Sequence, residues 1–186
     1  MKFTPLSIPD VIHIEPKIFE DNRGFFMEVY HQEKYAEAGI SDAFVQDNYS
    51  RSSKGTLRGL HYQLHPKAQG KLVRAVKGEI LDVAVDIRKG SSTFGQWVSA
   101  ILSEDKKNLL YVPPGFAHGF YVISDTADIE YKCTSTYSAD HERSIRWDDP
   151  DINISWPISP DQTVLLSEKD KIAPLLTNAD TFGITH

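Results

Sequence analysis

Two β-strands joined by a turn are predicted by the stretch KLVRAVKGEILDVAVDI, residues 71–87. Residues 71–76 have the composition of an extended segment, and Lys77-Gly78-Glu79 has that of a hairpin turn. From 81 to 87, aliphatic residues alternate with small or acidic ones, which is the period of a half-buried strand. The stretch therefore predicts β-structure with one face toward a core.

Working outward from this stretch, the other strand signals are short and separated by turn residues at regular intervals, which is typical of a sandwich or barrel. We therefore expect an all-β fold with a few short helices, one of them at the C-terminus and broken by Pro174. The further strands are predicted at 96–102, 109–112, 120–123 and 129–137, two extended segments lie between 11 and 30 around a turn at 20–24, and the helices cover 32–38 and 167–176.

The composition limits the class of protein. The chain has 186 residues, of which 40% are hydrophobic and 25% charged, and no domain boundary is visible, so we expect one domain over residues 1–186. Eight tyrosines and nine phenylalanines favour strands. The net charge of -6 argues against a nucleic-acid-binding surface, although one local basic pocket for an anion remains compatible with it.

The cysteine content and the apolar runs indicate a compartment. Cys133 is the single cysteine, so no internal disulfide can form, and a reducing cytoplasm is the expected location. The N-terminus lacks the long apolar run of a signal peptide, and no apolar stretch is long enough to span a membrane. We therefore expect no membrane association.

An arginine and a histidine lie three residues apart in the segment LRGLHYQ, residues 57–63. Arg58 and His61 need not share a strand face, because Gly59 permits a local kink. An arginine suits a phosphate or carboxylate, and a histidine suits proton transfer near neutral pH. The alternative is a surface arginine with a structural histidine, and the segment alone does not separate the two.

Two histidines raise the question of a metal. His118 ends a Pro-x-Gly-x-x-His pattern that resembles the second histidine motif of cupins, small jelly-roll barrels that often hold a metal through histidines and a glutamate. The first motif is His61-Tyr62-Gln63 where a metal-binding cupin has His-x-His, and no glutamate follows at the usual spacing. Half of the ligand set is missing, so we expect no metal.

Two tyrosines are further candidates. On a regular strand over 129–137, Tyr131 and Tyr137 share one face. If that face lines a barrel interior, one phenol can donate a proton and another can stack on an aromatic ring. The alternative is that both are ordinary core aromatics.

A carboxylate near the C-terminus has two interpretations. Ser167 and Asp170 have the spacing of a helix capping pair. Alternatively, Asp170 orients His61 and stabilises its protonated form, as in catalytic triads.

The basic residues form another candidate set. A phosphate site would require that they converge on one pocket, which sequence spacing cannot show. The basic candidates are Arg23, Arg58, Lys71 and Lys169.

These segments occur together in one family. The chain resembles the dTDP-4-dehydrorhamnose 3,5-epimerases, the RmlC-type sugar epimerases of deoxysugar biosynthesis, over nearly its whole length. One such motif would be weak support, whereas six in order at compatible spacing are strong. The motifs are FEDNRGFF (19–26), QDNYS (46–50), LRGLHYQ (57–63), the turn at 113–118, YKCT (131–134), and WDDP (147–150) with WP (156–157) and LSEKD (166–170).

The resemblance implies a homodimer of cupin-like jelly rolls without a metal or redox cofactor. It implies epimerisation of dTDP-4-dehydro-6-deoxy-D-glucose at C3 and C5 to dTDP-4-dehydro-L-rhamnose, in dTDP-L-rhamnose biosynthesis. By motif match, His61 is the base, Tyr131 the acid and Asp170 the partner of His61, while Tyr137 stacks on thymine. The implied substrate contacts are Arg23, Phe26, Glu28, Gln46, Asn48, Arg58, Lys71, His118, Glu142 and Lys169.

The implied chemistry suits these residue types. A C4 ketone acidifies the protons on C3 and C5, so that His61 can remove one and leave an enolate. Lys71, or second His118, would stabilise the charge on the C4 oxygen. Tyr131 would return a proton from the opposite face and invert the centre, with no cofactor.

Three other functions remain open at this point. A mono-epimerase acting at C3 or C5 alone would carry the same motifs. A metal-dependent cupin oxygenase or isomerase would hold stoichiometric metal. A cupin-like sugar-binding module would need neither the base nor the acid, so the pairing of His61 with Tyr131 argues against it.

Overall fold

Two antiparallel β-sheets face each other across a shared interior in this computed structural model, which describes residues 1–183. Residues 184–186 of the predicted domain lie outside the described part. In spatial order the six-stranded sheet consists of β1 (Lys2–Pro5), β2 (Ile12–Glu15), β10 (Leu109–Val112), β7 (Lys71–Lys77), β12 (Thr126–Cys133) and β5 (Gln46–Ser53). The five-stranded sheet consists of β13 (Glu142–Ser144), β6 (Leu57–Gln63), β11 (Phe116–Val122), β8 (Glu79–Asp86) and β9 (Trp97–Ser103).

A two-stranded ribbon and short helices complete the described chain. The ribbon pairs β3 (Ile18–Asp21) with β4 (Gly24–Met27) and is not hydrogen-bonded into either sheet. The helices are α1 (Gln32–Glu37), α2 (Glu168–Lys171) and a 3₁₀ turn at Leu176–Asn178. The prediction of an all-β fold with a few short helices, one near the C-terminus, is confirmed. Within residues 1–183, no helix is long and apolar enough to cross a membrane.

Three apolar clusters hold the layers together. The interior between the sheets is filled by residues such as Val73, Phe116 and Ile129. The outer face of the five-stranded sheet is covered by the C-terminal part of the chain, through Ile152, Leu176 and Phe182. The outer face of the six-stranded sheet is covered by α1 and the residues around it, through Tyr35 and Ile40. Both sheets are therefore buried on both faces over much of their area.

The turn at Gly78 does not form the predicted hairpin. It joins β7 of the six-stranded sheet to β8 of the five-stranded sheet, so the two strands that it connects are not paired. Gly78 has a φ of 72°, and a Cβ built on it would clash with the Thr126 carbonyl oxygen. The turn residues were identified correctly, but a local pattern does not tell whether a turn stays within a sheet or crosses to the other one.

The prediction of a half-buried β8 is wrong. Seven of its eight residues are buried, and the acidic positions, Asp82 and Asp86, are fully buried. The apolar positions, such as Val83 and Val85, face outward under the C-terminal cover, while Ile80 and Ala84 belong to the interior cluster. The polar face of the pattern therefore points into the interior, because a distant segment covers the apolar face.

Other boundaries differ in smaller ways. The strand predicted over 129–137 ends at Cys133 as β12, so Tyr137 is not on the same strand as Tyr131. His118 lies within β11 rather than in a turn that precedes a strand. The predicted C-terminal helix is α2, which ends before Pro174, and Ser167 Oγ accepts a hydrogen bond from the Asp170 backbone N–H at 3.1 Å, as the capping interpretation predicts.

A bulge in β6 brings Arg58 and His61 to the same side of the sheet. On β11 the partner of Arg58 is Phe120 and the partner of His61 is His118, so two residues of β6 lie opposite one of β11. Phe120 belongs to the interior cluster, and directly paired residues share a face. Gly59 takes a φ of 140° here, and a Cβ on it would lie 2.5 Å from the Cα of the glycine opposite. The predicted kink is therefore present, and it requires glycine, but it places Arg58 and His61 on one face instead of separating them.

We expect Gly59→Ala to lower the free energy of unfolding by about 2 kcal/mol more than Gly24→Ala does. The glycine that Gly59 approaches is Gly119. Gly24 is a matched control because its φ is 131° but a Cβ there meets nothing within 4 Å, so that substitution carries only the backbone strain. Denaturant unfolding of both variants measures the difference. Equal losses of stability would show that the contact with Gly119 is not limiting.

Candidate active site

A pocket of about 350 Å³ lies between the two sheets, and seven of the fourteen predicted site residues line it. The six-stranded sheet contributes side chains from β5, β7 and β12, and the five-stranded sheet contributes side chains from β6 and β13. Its lining is polar and includes one histidine, one lysine and three tyrosines. The lining residues are Gln46, Asn48, His61, Tyr62, Gln63, Gln69, Lys71, Tyr131, Tyr137 and Glu142.

His61 is paired with a buried carboxylate. Its Nε2 lies 2.6 Å from Asp170 Oδ1, and the two side chains are 31% and 2% exposed. Burial alone would raise the pKa of Asp170, but hydrogen bonds from His61 and Ser167 together lower it below its usual value. Asp170 is therefore ionised near neutral pH. When Nε2–H donates to this carboxylate, Nδ1 is the nitrogen left to accept a proton.

Lys71 forms part of the floor of the pocket. Its side chain is buried, and Nζ donates to the His61 backbone carbonyl at 3.2 Å. Burial lowers the pKa of Lys71, while the nearby Cys133, Asp82 and Glu142 act in the opposite direction. A buried hydrogen-bond donor beside the base is suited to bind an oxygen on which negative charge develops.

Tyr131 approaches the pocket from the sheet opposite His61. It lies on β12 between Asn48 of β5 and Val73 of β7, and it packs against the interior cluster. Burial raises the pKa of Tyr131, so its phenol is protonated near neutral pH. The structure therefore places a proton acceptor and a proton donor on opposite walls of one pocket.

His118 lies behind the pocket in a second histidine–aspartate pair. Its Nε2 donates to Asp82 Oδ1 at 2.7 Å, and both side chains are buried. Burial lowers the pKa of His118 despite the neighbouring carboxylate. Asp82 Oδ2 has no hydrogen-bond partner in the part of the chain that the structure describes. No group of three or more His, Cys, Asp or Glu side chains within that part could hold a metal ion.

The mouth of the pocket is a cluster around Glu142. Glu142 Oε2 accepts a hydrogen bond from the Tyr137 hydroxyl at 2.8 Å and lies 2.5 Å from Lys169 Nζ. Burial would raise the pKa of Glu142, but these two partners hold it below its usual value. Lys169 and Asp170 are adjacent on α2, so this helix reaches both the mouth and the base.

Two polar side chains and one arginine complete the surroundings. Gln46 Nε2 donates to Asn48 Oδ1 at 3.1 Å, and Asn48 in turn donates to the Cys133 thiol at 3.5 Å. Arg58 reaches across to the other sheet, where its Nε donates to Ser52 Oγ at 3.0 Å. These contacts fix the walls between which a ligand would lie.

Comparison with known proteins identifies the family. The family model described as dTDP-4-dehydrorhamnose 3,5-epimerase matches residues 5–178. The chain is 54% identical over 183 residues to the dTDP-4-dehydrorhamnose 3,5-epimerase of Pseudomonas aeruginosa, which covers 98% of this chain and 99% of that protein. This chain belongs to the dTDP-4-dehydrorhamnose 3,5-epimerase family. The sequence resemblance is thereby confirmed.

Solved structures of epimerases in this family share the fold. The RmlC epimerase of Legionella pneumophila, in complex with dTDP-4-keto-L-rhamnose, superposes with a TM-score of 0.95 at 50% identity and covers 100% of this chain and 99% of that one. ChmJ, a 3'-monoepimerase of Streptomyces bikiniensis in complex with dTDP-quinovose, superposes with a TM-score of 0.86 at 36% identity, with 93% and 87% covered. The predicted cupin-like jelly roll is confirmed, and the same fold serves epimerases of different regiochemistry.

Three residues that the family resemblance implied as substrate contacts lie away from this pocket. Arg23 is highly exposed and pairs with Asp21 on the β3–β4 ribbon. Phe26, on the same ribbon, is 68% exposed. Glu28 pairs with Lys34 at 2.6 Å. Within this chain the fold does not bring them to the pocket.

Sequence reasoning missed several side chains that build this epimerase pocket. Tyr62 and Gln69 line it, and Gln63, which entered only as a lost metal ligand, lines it as well. Asp82 supports His118 from a strand position that the alternation assigned to solvent. The signal that could have found Asp82 was its position between the aliphatic residues of β8.

Proposed function

We propose that this chain epimerises dTDP-4-dehydro-6-deoxy-D-glucose at C3 and C5 to give dTDP-4-dehydro-L-rhamnose, in dTDP-L-rhamnose biosynthesis. The observation that carries the proposal is the position of His61 and Tyr131 on opposite walls of one pocket. Inversion of a carbon requires removal of a proton on one face and its return on the other, and a base and an acid on opposite walls support this proposal.

The first step is proton removal by His61. Its Nε2–H is held by Asp170, so Nδ1 accepts the proton from the carbon next to the ketone. The imidazolium that forms is stabilised by the ionised carboxylate. The electron pair of the broken C–H bond moves into the enolate, with the charge on the C4 oxygen.

The enolate is stabilised by Lys71. Its ammonium group is buried beside His61 and is held in place before the reaction, so little reorganisation is needed as charge develops. A preorganised donor of this kind typically contributes about 3–4 kcal/mol to the transition state. His118 belongs to the same buried group but already donates to Asp82, so it is the weaker candidate.

Tyr131 then returns a proton from the opposite wall. Its raised pKa keeps the phenol protonated until the enolate carbon accepts the proton. After the transfer, Arg58, which tends to lower the pKa of Tyr131, stabilises the phenolate. Between turnovers His61 gives its proton to solvent and Tyr131 takes a proton from solvent. The reaction therefore balances without a cofactor.

The nucleotide end of the substrate occupies the mouth. Lys169, which pairs with Glu142 at the mouth, and Arg58 on β6 are the basic groups near the pocket, and each suits one or both phosphates. The exposed ring of Tyr137 is available for stacking with thymine, and Gln46, Asn48 and Glu142 provide hydrogen-bonding partners.

A second protomer would complete the site. The β3–β4 ribbon exposes three aromatic side chains, Phe19, Phe25 and Phe26. Exposed aromatic side chains that lie together are typical of a surface that a partner protein buries. We therefore propose a homodimer in which the ribbon of each protomer brings Arg23, Phe26 and Glu28 to the partner's pocket.

Hydrogen exchange tests the reaction. In deuterated water, the protein should label both C3 and C5 of dTDP-4-dehydro-6-deoxy-D-glucose, and His61→Ala should abolish labelling. Tyr131→Phe should slow inversion more than proton removal. Label at one carbon alone would identify a mono-epimerase, as in the 36%-identical ChmJ. Binding without label would identify a sugar-binding module.

Asp170→Asn should slow exchange roughly 10²–10⁴-fold, because the amide no longer stabilises the imidazolium. Glu168→Gln is the matched control. Glu168 is the acidic residue two positions earlier on the same helix, and its exposed side chain pairs with Lys171 rather than with His61. Exchange at more than half the wild-type rate in Asp170→Asn would remove Asp170 from the mechanism.

Mixing inactive variants tests the dimer. Co-expressed His61→Ala and Arg23→Ala protomers should form hybrid dimers with one intact site, so a random mixture should regain about one quarter of wild-type activity. His61→Ala mixed with Asp170→Asn is the control, because both substitutions lie in the same pocket and should not complement. Recovery in neither mixture, or a monomer in solution, would contradict the shared site.

A further inference from the structure

Gln63 lies two residues after His61, where a metal-binding cupin would have its second histidine. Its side chain is buried, and all three of its hydrogen bonds go to backbone groups. Nε2 donates to the carbonyl of Lys67 at 2.6 Å and to that of Thr136 at 3.2 Å, while Oε1 accepts from the Ser138 N–H at 2.7 Å. A neutral histidine has one donor and one acceptor, whereas a glutamine supplies the two donors and one acceptor that this position uses.

Two of these bonds bracket Tyr137. Thr136 and Ser138 are its neighbours in the chain, and the Tyr137 N–H itself donates to Gln46 Oε1 at 2.8 Å. Two glutamine side chains therefore hold three consecutive residues. Tyr137 lies beyond the end of β12 in no regular element, and no strand ladder holds its backbone.

The ring of Tyr137 depends on this backbone for its position. The residue is 58% exposed, so packing by neighbours cannot fix it. Its hydroxyl donates to Glu142, and Glu142 is the cross-strand partner of Gln63 between β13 and β6. Gln63 therefore lies where the loop of Tyr137 and the strand of Glu142 meet. A ring that stacks on a base binds best when it is already held in position, because otherwise binding costs the entropy of ordering it.

We infer that Gln63 is a positioning residue for Tyr137 and that it sets the affinity for the nucleoside part of the substrate. The inference rests on the proposed function, in which Tyr137 stacks on the base. Gln63 is hydrogen-bonded to backbone groups at the position where a metal-binding cupin has a metal ligand. It acts on ligand binding rather than on the proton transfers at His61 and Tyr131.

The test is a double-mutant cycle on dTDP binding by calorimetry, combined with steady-state kinetics on the dTDP-4-keto sugar. Gln63→Met keeps the length of the side chain but removes every hydrogen bond. We expect the dTDP Kd and the KM to rise about tenfold, with kcat within about twofold. In a Tyr137→Ala background, the same substitution should change Kd by less than about twofold, because the surface that it positions is gone.

Two further variants keep the test sharp. Gln63→Glu retains an acceptor for the Ser138 N–H but sets its other carboxylate oxygen against the Lys67 and Thr136 carbonyl oxygens, so it should raise Kd at least as much as Gln63→Met and serves if the Met variant does not fold. Gln96→Met is the control at a glutamine whose side-chain hydrogen bond is exposed and distant in sequence from the pocket, and it should match the wild type.

An unchanged Kd in a folded Gln63 variant would overturn the inference. An equal rise in Kd with Tyr137 present and in the Tyr137→Ala background would also overturn it, because it would show an effect that does not pass through the ring. Failure of the wild type itself to bind dTDP would instead contradict the proposed function. The experiment therefore distinguishes failure of this inference from failure of the proposed function.

Discussion

The approach of two glycine backbones, Gly59 of β6 and Gly119 of β11, sets the geometry of the whole site. A regular strand places residues three apart on opposite faces. The extra residue accommodated at Gly59 moves Arg58 onto the face that carries His61. Without that bulge, the base and the arginine would lie on opposite faces of the sheet, and the interior would lose either its proton acceptor or a cation near Tyr131.

The polar interior follows from how the outer faces are covered. The apolar positions of β8 pack against the C-terminal part of the chain. The alternate positions, Asp82 and Asp86, therefore point inward. Buried carboxylates are stable only with partners. Asp82 has His118, and Asp86 has Arg88, Ser91 and Thr93, which together lower its pKa to about 2 against the effect of burial. The barrel therefore holds an apolar cluster and a charged site in one interior.

The residue types at the site were predictable from motifs, but their arrangement was only partly so. The roles of His61, Asp170 and Tyr131 were implied by the family motifs, and the fold brings the first two into contact and the third to the same pocket. The crossing at Gly78 and the inward face of β8 were not predictable, because both depend on which distant segment packs against a strand. Tyr137 reaches the pocket from a loop, held by side chains that no periodicity reveals. The roles assigned to Arg23, Phe26 and Glu28 depend on the proposed homodimer, which a single sequence cannot show.

The C-terminal segment that covers the five-stranded sheet also carries α2, and with it Asp170 and Lys169. The docking of this segment therefore has two effects: it covers an apolar face, and it brings Asp170 into contact with His61. Local opening of terminal segments costs less free energy than global unfolding. A partial detachment of this segment would disconnect His61 from its carboxylate while the sheets stayed intact. Warming or mild denaturant would then reduce turnover before the spectroscopic signal of the β-sheets changed. Turnover would therefore measure how much of the C-terminal segment is docked on the sheet.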